Sequence, residues 1–204
     1  DGQLIAYFQQ KVLRTDEPDG TGIGVAGVSV APSAALREYC ERLTRSLSYT
    51  GIGCIQFMVD ERTGSVALLE FNARMDSTAA LPYRLGIDFP LLAVQLAAYR
   101  KARESGEANA ARLLPETQAA RYAPGKTYHW LYGDLKSFLA ELRRGRLERR
   151  SLAAWALDMV RRFLTSHHLT FDWRDPLPTL HMYWRKFLHA PLRRRLPASR
   201  PQPR

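Results

Sequence analysis

From Gln3 to Leu13 apolar residues recur in a loose alternation, Leu4, Ile5, Tyr7 and Phe8, then Val12 and Leu13, the pattern of one strand or two in a sheet. Between Thr15 and Gly27 polar residues take over, with glycines at 20, 22, 24 and 27, so this stretch reads as a loop. The period changes after Pro32-Ser33. Leu36, Tyr39, Cys40, Leu43 and Leu47 follow at three-to-four spacing with Arg37, Glu38, Glu41, Arg42 and Arg45 opposite, predicting an amphipathic helix that ends near Thr50-Gly51.

Ile52 to Val59 and Val66 to Phe71 are strand-like, and Asp60-Glu61-Arg62-Thr63-Gly64 between them is a hairpin loop with its glycine late in the turn. A hairpin centred near Thr63 sets Gln56 opposite Glu70. Alternation then places Ile55, Phe57, Val59, Ala67, Leu69 and Phe71 on an apolar face, and Gln56, Glu70 and Asn72 together on the other. Further on, Ser77 to Leu85 reads as a short helix closed by Gly86, and Asp88-Phe89-Pro90 starts a longer one, Leu91 to Arg103. Residues 105 to 124 are small and polar, a surface connection. His129 to Tyr132 is strand-like, Asp134 is placed to cap a helix from Leu135 to Arg144, and Ser151 to cap another through Leu164. A short aromatic helix over Leu180 to Leu188 precedes a proline- and arginine-rich end expected to be disordered.

The 204 residues are 46% hydrophobic and 25% charged, inside the range of a globular domain, which excludes disorder throughout. There is no apolar run of about 18 residues and no signal-peptide pattern, so a cytoplasmic location is expected. The chain starts Asp-Gly-Gln rather than with methionine, as expected of a processed or truncated product. Cys40 and Cys54, in EYCERL and GIGCIQF, read as buried thiols, and the histidines at 167, 168, 181 and 189 lack zinc spacing.

Charge is unevenly spread. Residues 1 to 142 carry a net −1 and residues 143 to 204 a net +11, so the whole formal +10 belongs to the last 62 residues. Three readings stand there: nucleic acid, for which Tyr183, Trp184, Arg185, Lys186 and Phe187 supply ingredients without a recognised motif; an anionic membrane surface, for which Leu180 to Leu188 with Arg193-Arg194-Arg195 beyond resembles an interfacial helix and polybasic patch; and plain solvation of an arginine-biased sequence.

Glu70, Asn72 and Arg74 follow at two-residue intervals along a strand, about 7 Å apart per step, with Gln56 beside Glu70 on the neighbouring strand. Oxygen donors gathered this way suit magnesium, which keeps water and substrate phosphates among its ligands, and an arginine beside them suits a transferring phosphoryl group. A solvated strand face accounts for the same spacing.

The stretch GIGCIQFMVDERTGSVALLEFNARMDSTAALPYRLGIDFPLLAVQLA resembles the carboxy-terminal part of the ATP-grasp fold, especially the large subunit of carbamoyl phosphate synthetase and related carboxylate-amine ligases. DGTGIGVAGVSVAPSAAL upstream is similar to the glycine-rich segment and helix that precede this hairpin in those enzymes, and the likeness spans roughly residues 1 to 100. The resemblance implies ATP with Mg2+ or Mn2+ as cofactors. It implies that Gln56 and Glu70 hold two metal ions between the nucleotide phosphates, with Asn72 on one of them, and that Arg74 neutralises the phosphoryl group or acyl phosphate. Lys11 and Arg14 would touch phosphate or the acceptor carboxylate, unless they simply solvate a strand edge. Gly22, Gly24, Gly27 and Ser29 would line nucleotide or substrate with backbone amides, although the family often has a histidine where this chain has Gly24-Val25.

The expected architecture is α+β: the carboxy-terminal half of an ATP-grasp fold over 1–104, mainly antiparallel sheet with packed helices. A linker over 105–124, a helical basic appendix over 125–190 and a basic tail over 191–204 complete it. The appendix, with HWLYGDL and DWRDPLP, is similar to one found after the grasp domain in some ATP-grasp proteins. The lysine-bearing lobe that covers the phosphates in this family is not within the sequence, so tight ATP binding by the chain alone is not expected. Small-molecule carboxylate and amine substrates are implied, and self-association is open. The alternative is a non-catalytic module of the same fold, held to membrane or nucleic acid by its basic end.

Overall fold

The computed structural model describes residues 4–17, 19–117, 121–145 and 147–189, so the expected basic tail and Gln3 of the predicted opening strand lie outside the described residues, while residues 4 to 9 are not strand. Among the described residues six α-helices and six strands form a mixed α and β architecture with two sheets.

The first sheet holds four strands in the order β1 (Gln10–Thr15), β2 (Gly24–Ser29), β5 (Thr127–His129), β6 (His167–His168). β1 and β2 pair antiparallel, as do β2 and β5, while β5 and β6 run parallel. Gly24 and Gly27 are therefore strand residues, which corrects the expectation of a loop running to Gly27. The cause is the Tyr128 ring, which lies across β2. A Cβ on Gly27 would meet Tyr128 Cε1 at 2.3 Å and one on Gly24 would meet the Tyr128 hydroxyl at 2.9 Å, so these strand positions are kept bare.

The second sheet is the hairpin β3 (Cys54–Val59) with β4 (Val66–Asn72). Between the sheets in sequence lies α1 (Ala34–Ser46), opened by Ser33, whose hydroxyl accepts from the Leu36 amide at 3.4 Å. It stops at Ser46, a turn earlier than its periodicity predicts, and of its apolar stripe Cys40 is buried while Tyr39 and Leu47 stay exposed. α2 (Ala80–Arg84) and α3 (Phe89–Glu104) follow the hairpin, and Asp88 caps α3 by accepting from the Leu91 amide at 2.9 Å. The connection over 105–117 contains a 3₁₀ turn at Ala110–Leu113. Tyr122, near the end of the stretch read as a connection, is fastened to the first sheet: its hydroxyl accepts from the Gln9 amide at 2.9 Å and donates to the Val30 carbonyl at 2.9 Å.

Residues from the stretch read as an appendix enter the first sheet directly, since Thr127–His129 is one of its two interior strands. α4 (Leu131–Arg144) and α5 (Arg149–Thr165) pack beside it. α4 starts four residues earlier than an Asp134 cap requires; Asp134 lies inside its first turns and faces the core. α6 (Leu177–Tyr183) continues into a π-type turn at Trp184–His189. The core gathers Val25, Ala26, Leu81, Tyr128 and Met159. Among the described residues no helix is long and apolar enough to cross a membrane.

Candidate functional site

The turn that makes the hairpin is held by Asp60. Its carboxylate accepts from the Arg62 amide at 2.8 Å and from the Thr63 hydroxyl at 2.8 Å, and its amide donates to the Ser65 carbonyl at 2.9 Å. Hydrogen bonds from Thr63 and the turn amides hold this carboxyl below its ordinary range. The resulting register sets Gln56 opposite Glu70 and Cys54 opposite Asn72. Beyond Gln56 the ladder slips: Phe57 pairs with Leu68, so Leu69 is the extra residue of a bulge. The bulge moves Leu68 and Val66, rather than Leu69 and Ala67, onto the side of Phe57 and Val59, correcting the uninterrupted alternation expected for β4.

On the polar face the side chains meet. Gln56 Nε2 donates to Glu70 Oε1 at 2.6 Å and Asn72 Nδ2 donates to the same oxygen at 2.8 Å. Gln56 and Glu70 are exposed and Asn72 is half-buried, so the group is open to solutes. Which amide atom is nitrogen follows from the hydrogen-bond pattern, and a 180° turn of either amide offers oxygen to a cation instead. The donor set of one carboxylate and two amides thus fits a hard cation that retains water and phosphate oxygens. Among the described residues no group of three or more His, Cys, Asp or Glu side chains is placed to hold a metal ion, here or elsewhere. Arg74 lies past the strand end, exposed, with Nη1 donating to the Met75 carbonyl at 3.2 Å.

Cys54 flanks this face. Burial, and then the negative charges of Asp76 and Glu70, push its thiol up to about 11, so it is protonated at neutral pH and unsuited as a nucleophile. Asp76 accepts hydrogen bonds from the amide and hydroxyl of Thr78, and that hydroxyl accepts from Gln10 Nε2 on β1. These contacts fasten the segment after the polar face to the first sheet.

The other residues expected at a nucleotide have partners of their own. Lys11 forms an exposed ion pair with Glu61 in the hairpin turn. Arg14 is ion-paired with Asp134 and, at 2.8 Å, with Asp158, and its guanidinium carbon lies 5.6 Å from the Trp155 ring centre. Gly22 sits in the β1–β2 turn against the Asp16 carboxylate. Ser29 is buried, its hydroxyl donating to the Ala123 carbonyl at 2.9 Å and accepting from the Lys126 amide at 2.9 Å. Gly24 lies under the Tyr128 phenol, whose hydroxyl is buried without a hydrogen-bond partner; burial, then Asp76 and Cys54, raise its pKa.

A polar cluster escaped the sequence entirely. Asp134 is fully buried and accepts from Trp155 Nε1 at 2.8 Å and from Arg14, with His129 Nε2 at 2.7 Å. Burial alone would raise its carboxyl, but these hydrogen bonds and the Arg14 charge outweigh it and hold the pKa below its ordinary value. The members come from β1, β5, α4 and α5, and no spacing in the sequence joins them.

Comparison with known proteins finds a likeness that spans the hairpin. Residues 26–104 match the family model described as carbamoyl-phosphate synthase L chain, ATP binding domain. The resemblance of this segment to an ATP-grasp-type domain is thereby shown. It covers β3, β4 and the whole polar face, together with α1 to α3. No curated protein and no solved structure matches the chain.

Proposed function

We propose that the chain carries the magnesium- and phosphate-binding face of an ATP-dependent carboxylate-amine ligase. The observation that carries this reading is the convergence of Gln56 and Asn72 on Glu70, within the segment similar to the synthase's ATP binding domain. Magnesium, or manganese in its place, would supply positive charge to offset that of the nucleotide phosphates. Glu70 would supply the anionic ligand, and Gln56 and Asn72 would offer their amide oxygens after turning the amides over. Arg74, exposed just past the end of the strand, would present a planar, permanently charged donor to the phosphoryl group or to the acyl phosphate. The substrates this chemistry takes are a small-molecule carboxylate and an amine or similar nucleophile.

Catalysis of this kind asks the protein for positioning and charge rather than for a side-chain nucleophile. The protonated state of Cys54 is in keeping with that. The test is Mn2+ binding followed by water-proton relaxation with and without millimolar ATP, a readout that registers weak binding, on the chain and on Glu70→Gln. Nucleotide-dependent metal binding weakened at least about tenfold by the substitution supports the reading. Equal behaviour of the two proteins, or no metal binding in either, overturns it.

A further inference from the structure

We propose that the outer face of α6 and the turn after it dock on an anionic membrane surface. The inner face of α6 is held to the fold by Thr179, which is buried and donates its hydroxyl to the Thr170 carbonyl. Opposite it, Leu177, Leu180 and Trp184 recur at three-to-four spacing and are 72%, 54% and 51% exposed. Trp173, just upstream, is 64% exposed while its ring rests 5.3 Å from that of Phe163 on α5, so it is presented from a fixed base rather than from a free loop. Leu177, Leu180 and Trp184 placed this way along one helix face form a stripe that water disfavours.

Charge chooses the occupant. Arg185 and Lys186 follow Trp184 and are exposed, and from Arg185 to Arg204 the sequence holds seven Lys and Arg residues and no Asp or Glu. Of the two carboxylates before the helix, Asp172 is paired with Arg84 at 3.6 Å and Asp175 is exposed. An apolar stripe beside a polybasic run is the combination that inserts into the headgroup boundary of an anionic bilayer, with tryptophan at its preferred depth. A second copy of the chain fits poorly, because a two-fold contact would set these cations against their own images. Nucleic acid would use the cations but leave Leu177 and Leu180 without a partner, since aliphatic side chains do not stack on bases as aromatic ones do.

This surface lies outside the segment similar to the synthase domain and its test contains no nucleotide, so its failure leaves the ligase reading untouched. The chain is co-sedimented with vesicles of phosphatidylcholine alone and of phosphatidylcholine with phosphatidylglycerol, and tryptophan emission is followed. Expected are binding to the anionic vesicles with a blue shift, weakening as salt rises, and at least about a tenfold loss in the double variant Leu180→Ser, Trp184→Ser. Arg185→Gln with Lys186→Gln should weaken binding and flatten the salt dependence. Circular dichroism establishes that the variants remain folded. No binding to anionic vesicles at low salt overturns the proposal, as does binding that the double variant leaves unchanged, which would assign it to charge alone. A solution dimer that Leu180→Ser dissolves, or single-stranded RNA binding equally sensitive to the double variant, overturns it in favour of those partners.

Discussion

Arg14 and Asp134, 120 residues apart in the chain, form an ion pair that ties β1 to α4. Asp134 is fully buried, and Arg14 is the cation that compensates it, with Trp155 and His129 completing its hydrogen bonds. Replacing Arg14 by methionine keeps the packing of the stem but leaves a buried carboxylate short of its counter-charge. The expected cost is about 3 kcal/mol, read as a shift of the urea unfolding midpoint.

The same cluster sets the acid limb of stability. Burial raises the carboxyl groups of Asp134 and Asp158, but their hydrogen bonds and arginine partners bring both below the ordinary value. Their contribution is complete above about pH 4 and is lost as pH falls through the depressed folded values. His168, buried against Phe163 and Phe171, is lowered by burial and then by neighbouring His129. A lowered histidine also favours the folded state most above about pH 6.5 and penalises it as pH falls below that. Unfolding midpoints measured between pH 7 and pH 3 should therefore fall in two steps, with His168→Phe diminishing the upper one, to which the similarly lowered His167 also contributes, and Asp134→Asn diminishing the lower.

Gly27→Ala should destabilise the protein by about 1–3 kcal/mol, because the added methyl would fall 2.3 Å from Tyr128 Cε1 and 2.8 Å from the Lys11 carbonyl oxygen. The second contact is backbone, so Tyr128→Ala should restore only part of the loss. Thermal unfolding of the single and double variants checks this.

Glu70→Gln should leave the unfolding midpoint within about 0.5 kcal/mol of the parent, since Glu70 is exposed on a two-stranded hairpin. Unchanged stability with lost nucleotide-dependent metal binding separates a ligand from a structural residue. A large stability loss would mark Glu70 as structural.

Asp88→Ala should cost about 1 kcal/mol by removing the cap that accepts from the Leu91 amide. Chemical denaturation read by far-ultraviolet circular dichroism gives the value directly.

The hairpin register was legible because it is local. An Asp-led turn joins two short strands, and period-two alternation then dictates that Gln56, Glu70 and Asn72 share a face. The bulge at Leu69 was not legible, because an extra residue leaves no mark in a pattern whose leucines at 68 and 69 satisfy either phase. Ser33 and Asp88 were readable as helix starts for the same local reason: each cap bonds an amide within its own first turn.

Gly24 and Gly27 were misjudged because glycine signals both a free turn and a surface another side chain must cross. Tyr128, about 100 residues away in sequence, decides between them. Likewise Asp134 has the chemistry of a helix cap, and only the arrival of Arg14, His129 and Trp155 from three other elements turns it into a buried anion.

By itself the sequence determined the local geometry: strand pairing across the Asp60 turn, the oxygen-rich row beside it, the helix caps at Ser33 and Asp88, and the concentration of positive charge in the last 62 residues. The tertiary structure alone decided that Thr127–His129 joins β2 in one sheet, that Arg14 serves Asp134, and that Leu177, Leu180 and Trp184 face outward. The division has a physical reason. Periodicity and capping depend on neighbours a few residues apart, whereas charge compensation and burial depend on surfaces brought together from distant parts of the chain.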